Sequence, residues 1–252
     1  MERGISLLGV VLLSVIAWAF SKNRSAIQWK VVASGIACQF AFALLVLKTE
    51  PGRIFFTKIG EFANTLLSMT DAGSGFVFGK LTDPSGPWSF LFAFKVLPTI
   101  VFFASLTSVL FYLGIIQFVV SGISKVMIRI LGTSGAETLC ASANIFMGQT
   151  EAPLLIKPYI AKLTQSELMV MMVSGFATLS AGIMLVYAGM LKPYLASAAG
   201  HLLAASVMSA PAAIVMAKII VPETEEPQTK GDVQVELPRT ESSVVEAAKD
   251  LH

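Results

Sequence analysis

Hydrophobic residues fall in five long runs along the chain, and polar stretches separate them. A helix needs ~20 apolar residues to cross a hydrocarbon core about 30 Å thick, and these runs approach or exceed that length. The runs are Ile5–Phe20, Val31–Leu47, Trp88–Val120, Leu168–Leu191 and Leu195–Val221. The pattern predicts an all-α membrane protein, a polytopic helical bundle with about five transmembrane helices. The first run could also act as a signal peptide, but the basic residues after it favour a cytoplasmic turn.

Between the second and third runs, the segment RIFFTKIGEFANTLLSM carries a helical pattern. Apolar residues recur at spacings of four and three, at Phe55, Ile59, Phe62, Leu66 and Met69. The polar residues of the segment fall elsewhere, at Lys58, Glu61, Asn64, Thr65 and Ser68. This periodicity predicts an amphipathic helix that lies in the membrane interface. Packing of the same helix against the protein's own loops remains an alternative. The following residues, DAGSGFVFGKLTDPSGP, are predicted to form a connection rich in glycine and proline.

The stretch from Ala136 to Lys162 predicts a re-entrant hairpin. About a dozen residues precede Gly148-Gln149-Thr150, and another dozen follow from Glu151. A dozen helical residues rise only ~18 Å, about half of the core. Two half-length helices joined by a polar tip would enter the membrane and return to the same side, which a bilayer tolerates only beside protein or a water-filled cavity.

The tip of this hairpin concentrates polar chemistry. Thr150 is suited to be the N-cap of the second half-helix, and Pro153 suits its first turn. Gln149, Thr150 and Glu151 would then cluster at depth in the membrane. A charge at that depth costs at least ~2.5–3.5 kcal/mol, so Glu151 is a functional candidate; a structural pair with a lysine is the alternative.

The fourth run contains a weaker signal. Its central stretch SGFATLSAG places glycine and serine residues around Thr178. Such a composition permits local unwinding, which would expose carbonyl oxygens to a cation. Close packing of helices is the alternative explanation for small residues in a membrane helix.

Composition supports the membrane assignment and narrows the function. The 252 residues are 55% hydrophobic and only 13% charged, against roughly 25% charged in soluble domains. Residues 222–252 carry eight acids and three bases, so they predict an aqueous loop. Two isolated cysteines predict neither a disulfide framework nor a metal site. Because no catalytic carboxylate pair, metal cluster or phosphate-binding loop is evident, an enzyme is not expected, nor is a nucleic-acid partner or an organic cofactor.

Several long strings resemble the concentrative nucleoside transporter family of bacterial type. They are FKVLPTIVFFASL, GTSGAETLCASANIFMGQTEAPLLIKPYIAKLTQSEL, GFATLSAG and APAAIVMAKIIVPETE. Members of this family are sodium- or proton-coupled nucleoside symporters. The resemblance implies a multi-pass protein of the plasma (cell inner) membrane that imports nucleosides by an elevator-type alternating-access movement, with membrane lipid around it.

The resemblance also implies an organisation. Residues 1–130 would belong to a scaffold with the interfacial helix, residues 131–221 to the transport part of the first repeat, and residues 222–252 to a polar acidic loop leading into a second half. A homotrimer is implied as well. The family carries an inverted second repeat with a second hairpin that has no counterpart here, so the chain is expected to be a fragment, the first part of an inverted-repeat transporter, and inactive alone.

Binding residues follow from the same resemblance. The nucleoside would contact the hairpin tip and one residue of the fourth run: Gly148, Gln149, Thr150, Glu151 and Ile183. The coupling ion would take backbone oxygens of Asn144, Met147, Thr178 and Leu179, together with the hydroxyl of Thr178. This set favours sodium, with a proton as the alternative. A channel or a structural membrane subunit without active transport is the competing function.

Overall fold

The computed structural model describes residues 2–83, 91–191, 194–195 and 197–229, together with Glu246 and Lys249. All regular elements in these residues are helical. The α-helices are α1 (Glu2–Ala19), α2 (Trp29–Lys48), α3 (Glu50–Phe78), α4 (Phe92–Tyr112), α5 (Ile115–Leu131), α6 (Gly135–Ala143), α7 (Gln165–Ala177), α8 (Ala181–Leu191) and α9 (Ala198–Ile220). Three 3-10 helices cover Arg24–Ala26, Gly79–Thr82 and Ala152–Lys162.

Four helical stretches within the described residues are long and apolar enough to cross a membrane, judged by length and composition. They are Trp29–Val46, Phe92–Tyr112, Gln165–Leu191 and Ala198–Ile220. The first predicted run contains a shorter apolar helix, Leu8–Ala19. The third predicted run is divided, because α4 ends at Tyr112 and Gly114 adopts a positive φ of 77° before α5 begins. Its predicted start, Trp88, lies outside the described residues.

The chain divides into two compact units, and the first comprises residues 1–43, 120–178 and 207–236. Its core joins α6 and α7 to the second part of α9 through buried aliphatic side chains: Ala141, Ile145, Val170, Ala210 and Ile214. Gly35 allows α2 to approach α9 closely, since a Cβ at this position would lie 2.2 Å from Cγ2 of Val215. This unit contains the whole predicted hairpin.

The second unit comprises residues 44–119, 179–206 and 237–252. Helices α3, α4 and α8 form its core, with Ala63, Leu67, Phe103, Leu185 and Ala188 buried between them. Gly200 is required at the start of α9, because a Cβ there would lie 2.7 Å from the carbonyl oxygen of Phe56. The predicted division into residues 1–130, 131–221 and 222–252 concerns the parts of a transporter and stays a prediction.

The amphipathic helix is longer than its pattern predicted. Helix α3 continues to Phe78 and ends where Gly79 takes a φ of 55°, so the predicted connection from Asp71 onward is wrong up to that point. The helix buries a face of small residues that includes Gly60, Thr70 and Ser74, and their packing explains why it continues. The predicted apolar stripe remains largely exposed, with 59% exposure at Phe55 and 65% at Phe62.

Candidate functional site

Two helices begin side by side at the base of the hairpin, and each begins with the same capping device. At the start of α6 the amide N–H of Ser134 donates to Oε1 of Glu137 at 2.9 Å. At the start of α7 the amide N–H of Thr164 donates to Oε2 of Glu167 at 2.8 Å. A capping box satisfies helix N–H groups that otherwise lack partners, so Ser134 and Thr164 fix where both helices start.

The hairpin consists of α6, a polar tip and the 3-10 helix Ala152–Lys162. All nine residues of α6 are buried, because small side chains let its surroundings approach from every side. The second half was expected as an α-helix and is a 3-10 helix instead, with Pro158 inside it. Proline lacks the N–H for an α-helical hydrogen bond and clashes with the preceding turn, which favours the tighter form.

The tip is a turn around Gly148. The amide N–H groups of Glu151 and Ala152 donate to its carbonyl oxygen at 3.1 and 3.0 Å. The Glu151 carboxylate accepts in return from the Gly148 N–H at 3.2 Å. The predicted N-cap role of Thr150 is wrong: the residue before the 3-10 helix is Glu151, which has helical φ and ψ, and Thr150 stays exposed. Gln149 is exposed as well.

Asn144 follows the last residue of α6 and is completely buried. Its side-chain Nδ2 donates to Oγ of Ser174 at 3.0 Å. Its Oδ1 is buried and has no hydrogen-bond partner among the described residues. A buried carbonyl-type oxygen without a donor costs free energy, about 1–3 kcal/mol, unless something else occupies it. A hard cation prefers such an oxygen ligand.

The fourth run is interrupted where its composition predicted. Helix α7 ends at Ala177, Thr178 is extended at φ −121° and ψ 162°, and α8 begins at Ala181. The Thr178 hydroxyl donates to the carbonyl oxygen of Ser174 at 2.9 Å, which leaves the lone pairs of the hydroxyl oxygen available. Ser174 therefore links Asn144 to Thr178.

The structure brings together the predicted site residues of the first unit. Asn144 and Gln149 contact α7 at Ser174 and Gly175, and Thr178 ends that helix. Met147 is buried in the same turn as Asn144, and Gly148, Thr150 and Glu151 belong to the tip. Leu179 and Ile183 belong to the second unit. Their predicted contacts with sodium and nucleoside stay predictions. The C-terminal end of α6, with its negative dipole end, and the extended Thr178 form the type of environment that coordinates cations in membrane transporters.

Sequence reasoning missed two residues of this site. Ser174 was noted only as a small residue, although its spacing of four from Thr178 could have suggested a hydrogen bond along the helix. Gly175 belongs to the same stretch of small residues, but nothing in the sequence indicates that the tip packs against it. In the structure a Cβ at Gly175 would lie 2.9 Å from Cβ and 3.4 Å from Cα of Gln149. Only glycine therefore lets the tip pack against α7 at this distance.

We predict that Gly175→Ala weakens substrate and sodium binding by about tenfold or more, because the added methyl group displaces the tip by tenths of an ångström. The effect would be measured as an increase in the sodium and nucleoside concentrations that give half-maximal uptake. Gly122→Ala is the matched control, since Gly122 is also helical and a Cβ there would meet no atom within 4 Å. Equal values for both variants would show that the approach of the tip to α7 is not needed.

Apolar helices, a helix interrupted at a polar position and a facing hairpin define a helical membrane transporter. The chain matches three successive family patterns, described as "Na+ dependent nucleoside transporter N-terminus" at residues 8–81, "Nucleoside recognition" at 93–194 and "Na+ dependent nucleoside transporter C-terminus" at 201–251. The chain belongs to the sodium-dependent nucleoside transporter family. The resemblance seen in the sequence is thereby confirmed.

Individual relatives agree with this assignment. An uncharacterized transporter of Haemophilus influenzae is 45% identical over 88% of this chain and 52% of its own length. The mouse (Mus musculus) sodium/nucleoside cotransporter 1 is 41% identical over 98% of this chain and 37% of its own length. The chain thus spans about half or less of the length of these relatives.

Solved structures show the same fold. The structure of CNTnw in an inward-facing substrate-bound state superimposes with a TM-score of 0.87 at 37% identity, over 99% of this chain and 58% of that chain. A doubly substituted CNTnw variant in an outward-facing state gives a TM-score of 0.86 over 97% of this chain and 58% of that chain. The fold of this chain is therefore similar to that of CNTnw.

Proposed function

We propose that the protein is a secondary active transporter that couples the entry of sodium to the import of nucleosides across the plasma membrane. The observation that carries this proposal is the buried, unpartnered Oδ1 of Asn144, next to the interrupted helix at Thr178. The sodium-dependent family and the name of the mouse relative support sodium as the coupling ion.

Each part of the site then has a role. Oxygen atoms of Asn144, Met147, Thr178 and Leu179 would hold the ion. Gly148, Gln149, Thr150 and Glu151 would bind the nucleoside through hydrogen bonds, and Ile183 would pack against its base. Ion and nucleoside would share the hairpin tip, so binding of one would order the tip for the other, which gives coupling without direct contact.

The last step of the proposed mechanism is the movement of the binding site from one side of the membrane to the other. The related CNTnw has been solved in inward-facing, intermediate and outward-facing states, and this supports an elevator-type alternating access for the natural full-length protein. A polar site at the hairpin can be carried across the membrane only if the surrounding helices move with it. A homotrimer in the plasma membrane, surrounded by lipid, is part of the same proposal.

Uptake into proteoliposomes tests this function. The natural full-length protein should accumulate a nucleoside above its external concentration when a sodium gradient points inward. Replacing external sodium with choline at fixed pH should abolish accumulation. Undiminished uptake in choline would instead favour proton coupling, and uptake that stops at equal concentrations would favour a channel, because a channel cannot concentrate its solute.

A further inference from the structure

A buried polar cluster closes the base of the hairpin, at the opposite end from the tip. Its members lie in the first unit and are largely shielded from solvent: Glu137, Thr164, Glu167, Lys218, Glu223 and Thr229. We refer to them as the base cluster. Burial of three carboxylates and a lysine costs free energy unless each charged group has a partner. Each charged group of the base cluster is therefore expected to be paired.

Lys218 connects the hairpin to the segment after α9. Its Nζ lies 2.8 Å from Oε2 of Glu137 at the start of α6. The same Nζ lies 3.1 Å from Oε2 of Glu223, beyond the end of α9. The Thr164 hydroxyl at the start of α7 also donates to Oε2 of Glu223, at 3.0 Å. One ion-pair network therefore joins the starts of both helices to residue 223.

Thr229 makes the second connection. Its hydroxyl donates to Oε1 of Glu167 at 3.0 Å, and its carbonyl oxygen accepts from the Gly135 N–H at 2.8 Å. The hydroxyl of Ser134 donates to the same Oε1 of Glu167. Thr229 thus binds α6 through its backbone and α7 through its side chain. We name residues 221–229 the clasp.

The clasp contacts helices α6 and α7, which are joined to each other by hydrogen bonds at two points. At the base, Ser134 of the hairpin bonds to Glu167 of α7. Toward the tip, Asn144 bonds to Ser174 of the same helix. Both helices run from the base toward the tip, so a change of register at the first link must displace the second. Helices are stiff over this length, which transmits such a displacement.

We propose that Thr229 and Glu223 of the clasp are positioning residues for the ion and nucleoside site. They hold α6 and α7 in the register that places Asn144 against Ser174, although they touch neither ligand. This inference rests on the proposed function for its transport readout. If the register is free to change, only a fraction of molecules has a competent site, and the apparent affinity falls by that fraction.

The test compares three threonine variants of the natural full-length protein. Thr229→Val removes the hydroxyl and keeps the shape, and Thr229→Ser restores a hydroxyl. Thr224→Val makes the same change at an exposed threonine of the clasp and serves as control. For each variant we would measure the sodium concentration at half-maximal uptake, the maximal rate, the melting temperature and the hydrogen exchange of amides 144–151.

We expect Thr229→Val to raise the half-saturating sodium concentration about threefold to tenfold and to accelerate exchange of these amides about tenfold. The effect is smaller than that of losing every bond to the carboxylate, because Glu167 keeps its bonds from Ser134 and Thr164. Thr229→Ser and Thr224→Val should behave like the unsubstituted protein. Glu223→Gln should act in the same direction as Thr229→Val, and it tests the clasp again if the valine variant does not fold.

A purely structural clasp would give a different result. The melting temperature would fall in Thr229→Val while sodium dependence and exchange at residues 144–151 stayed unchanged, and this would overturn the inference. Absence of sodium-driven uptake in the unsubstituted protein would contradict the proposed function instead. The exchange measurement would still decide whether the clasp positions Asn144, because it does not depend on transport.

Discussion

Glu151→Gln is expected to lower sodium-driven nucleoside uptake of the natural full-length protein by about 10–100-fold. Hydrogen bonds to a charged group are worth about 1.5–3 kcal/mol, which corresponds to this range. The carboxylate sits at the tip, where its one described bond is to the Gly148 N–H within the same turn. Glutamine keeps the size of the side chain and removes the charge that would accept from hydroxyl or base N–H donors of a nucleoside.

The amount of protein in the membrane separates binding from folding. Glu151 is partly exposed, and its one described side-chain bond is to the tip itself, so its variant should insert and assemble normally. Glu61→Gln, a change of the same kind at an exposed position of α3, should leave uptake unaffected. Normal uptake by Glu151→Gln at normal abundance would show that this carboxylate does not bind the nucleoside.

Local patterns along the chain were sufficient to predict the elements around the site. A helix cannot cross the membrane in a dozen residues, so the polar interruption at Gly148 indicates a hairpin, and the structure has α6 and a 3-10 helix on either side of a turn there. That this hairpin is re-entrant stays a prediction. Small residues around Thr178 similarly indicated the break between α7 and α8, which the structure has at residues 178–180. The first prediction rests on the length of the segments and the second on the small residues around Thr178, and both can be read from the sequence alone.

Features that depend on tertiary packing could not be predicted in this way. Helix α3 passes through Gly73 and Gly75, which have low helix propensity, because buried Thr70 and Ser74 pack on its inner face. The acidic composition after Pro222 indicated solvent, yet Glu223 turns inward to pair with buried Lys218. The requirement for glycine at residue 175 exists only because Gln149 lies against it.

Asn144→Leu is expected to raise the half-saturating sodium concentration by at least about 10–100-fold, the cost typical of losing even a supporting group of a metal site. In the unsubstituted protein sodium should raise the melting temperature, because an ion that binds only the folded state stabilises it. This sodium-dependent shift should disappear in the variant. Ser142→Ala is the control, since Ser142 is equally buried but donates to the Thr138 carbonyl within α6.

The stability of the Asn144→Leu protein in the absence of sodium provides a second test of this prediction. Leucine removes an Oδ1 that is buried without a partner, and Ser174 keeps its own bond to the Met171 carbonyl. The variant should therefore be at least as stable as the unsubstituted protein when sodium is absent. A strong loss of stability in choline would instead mean that Asn144 serves the packing of α6 on α7. Sodium-specific loss would explain why an otherwise unfavourable oxygen lies at the centre of this unit.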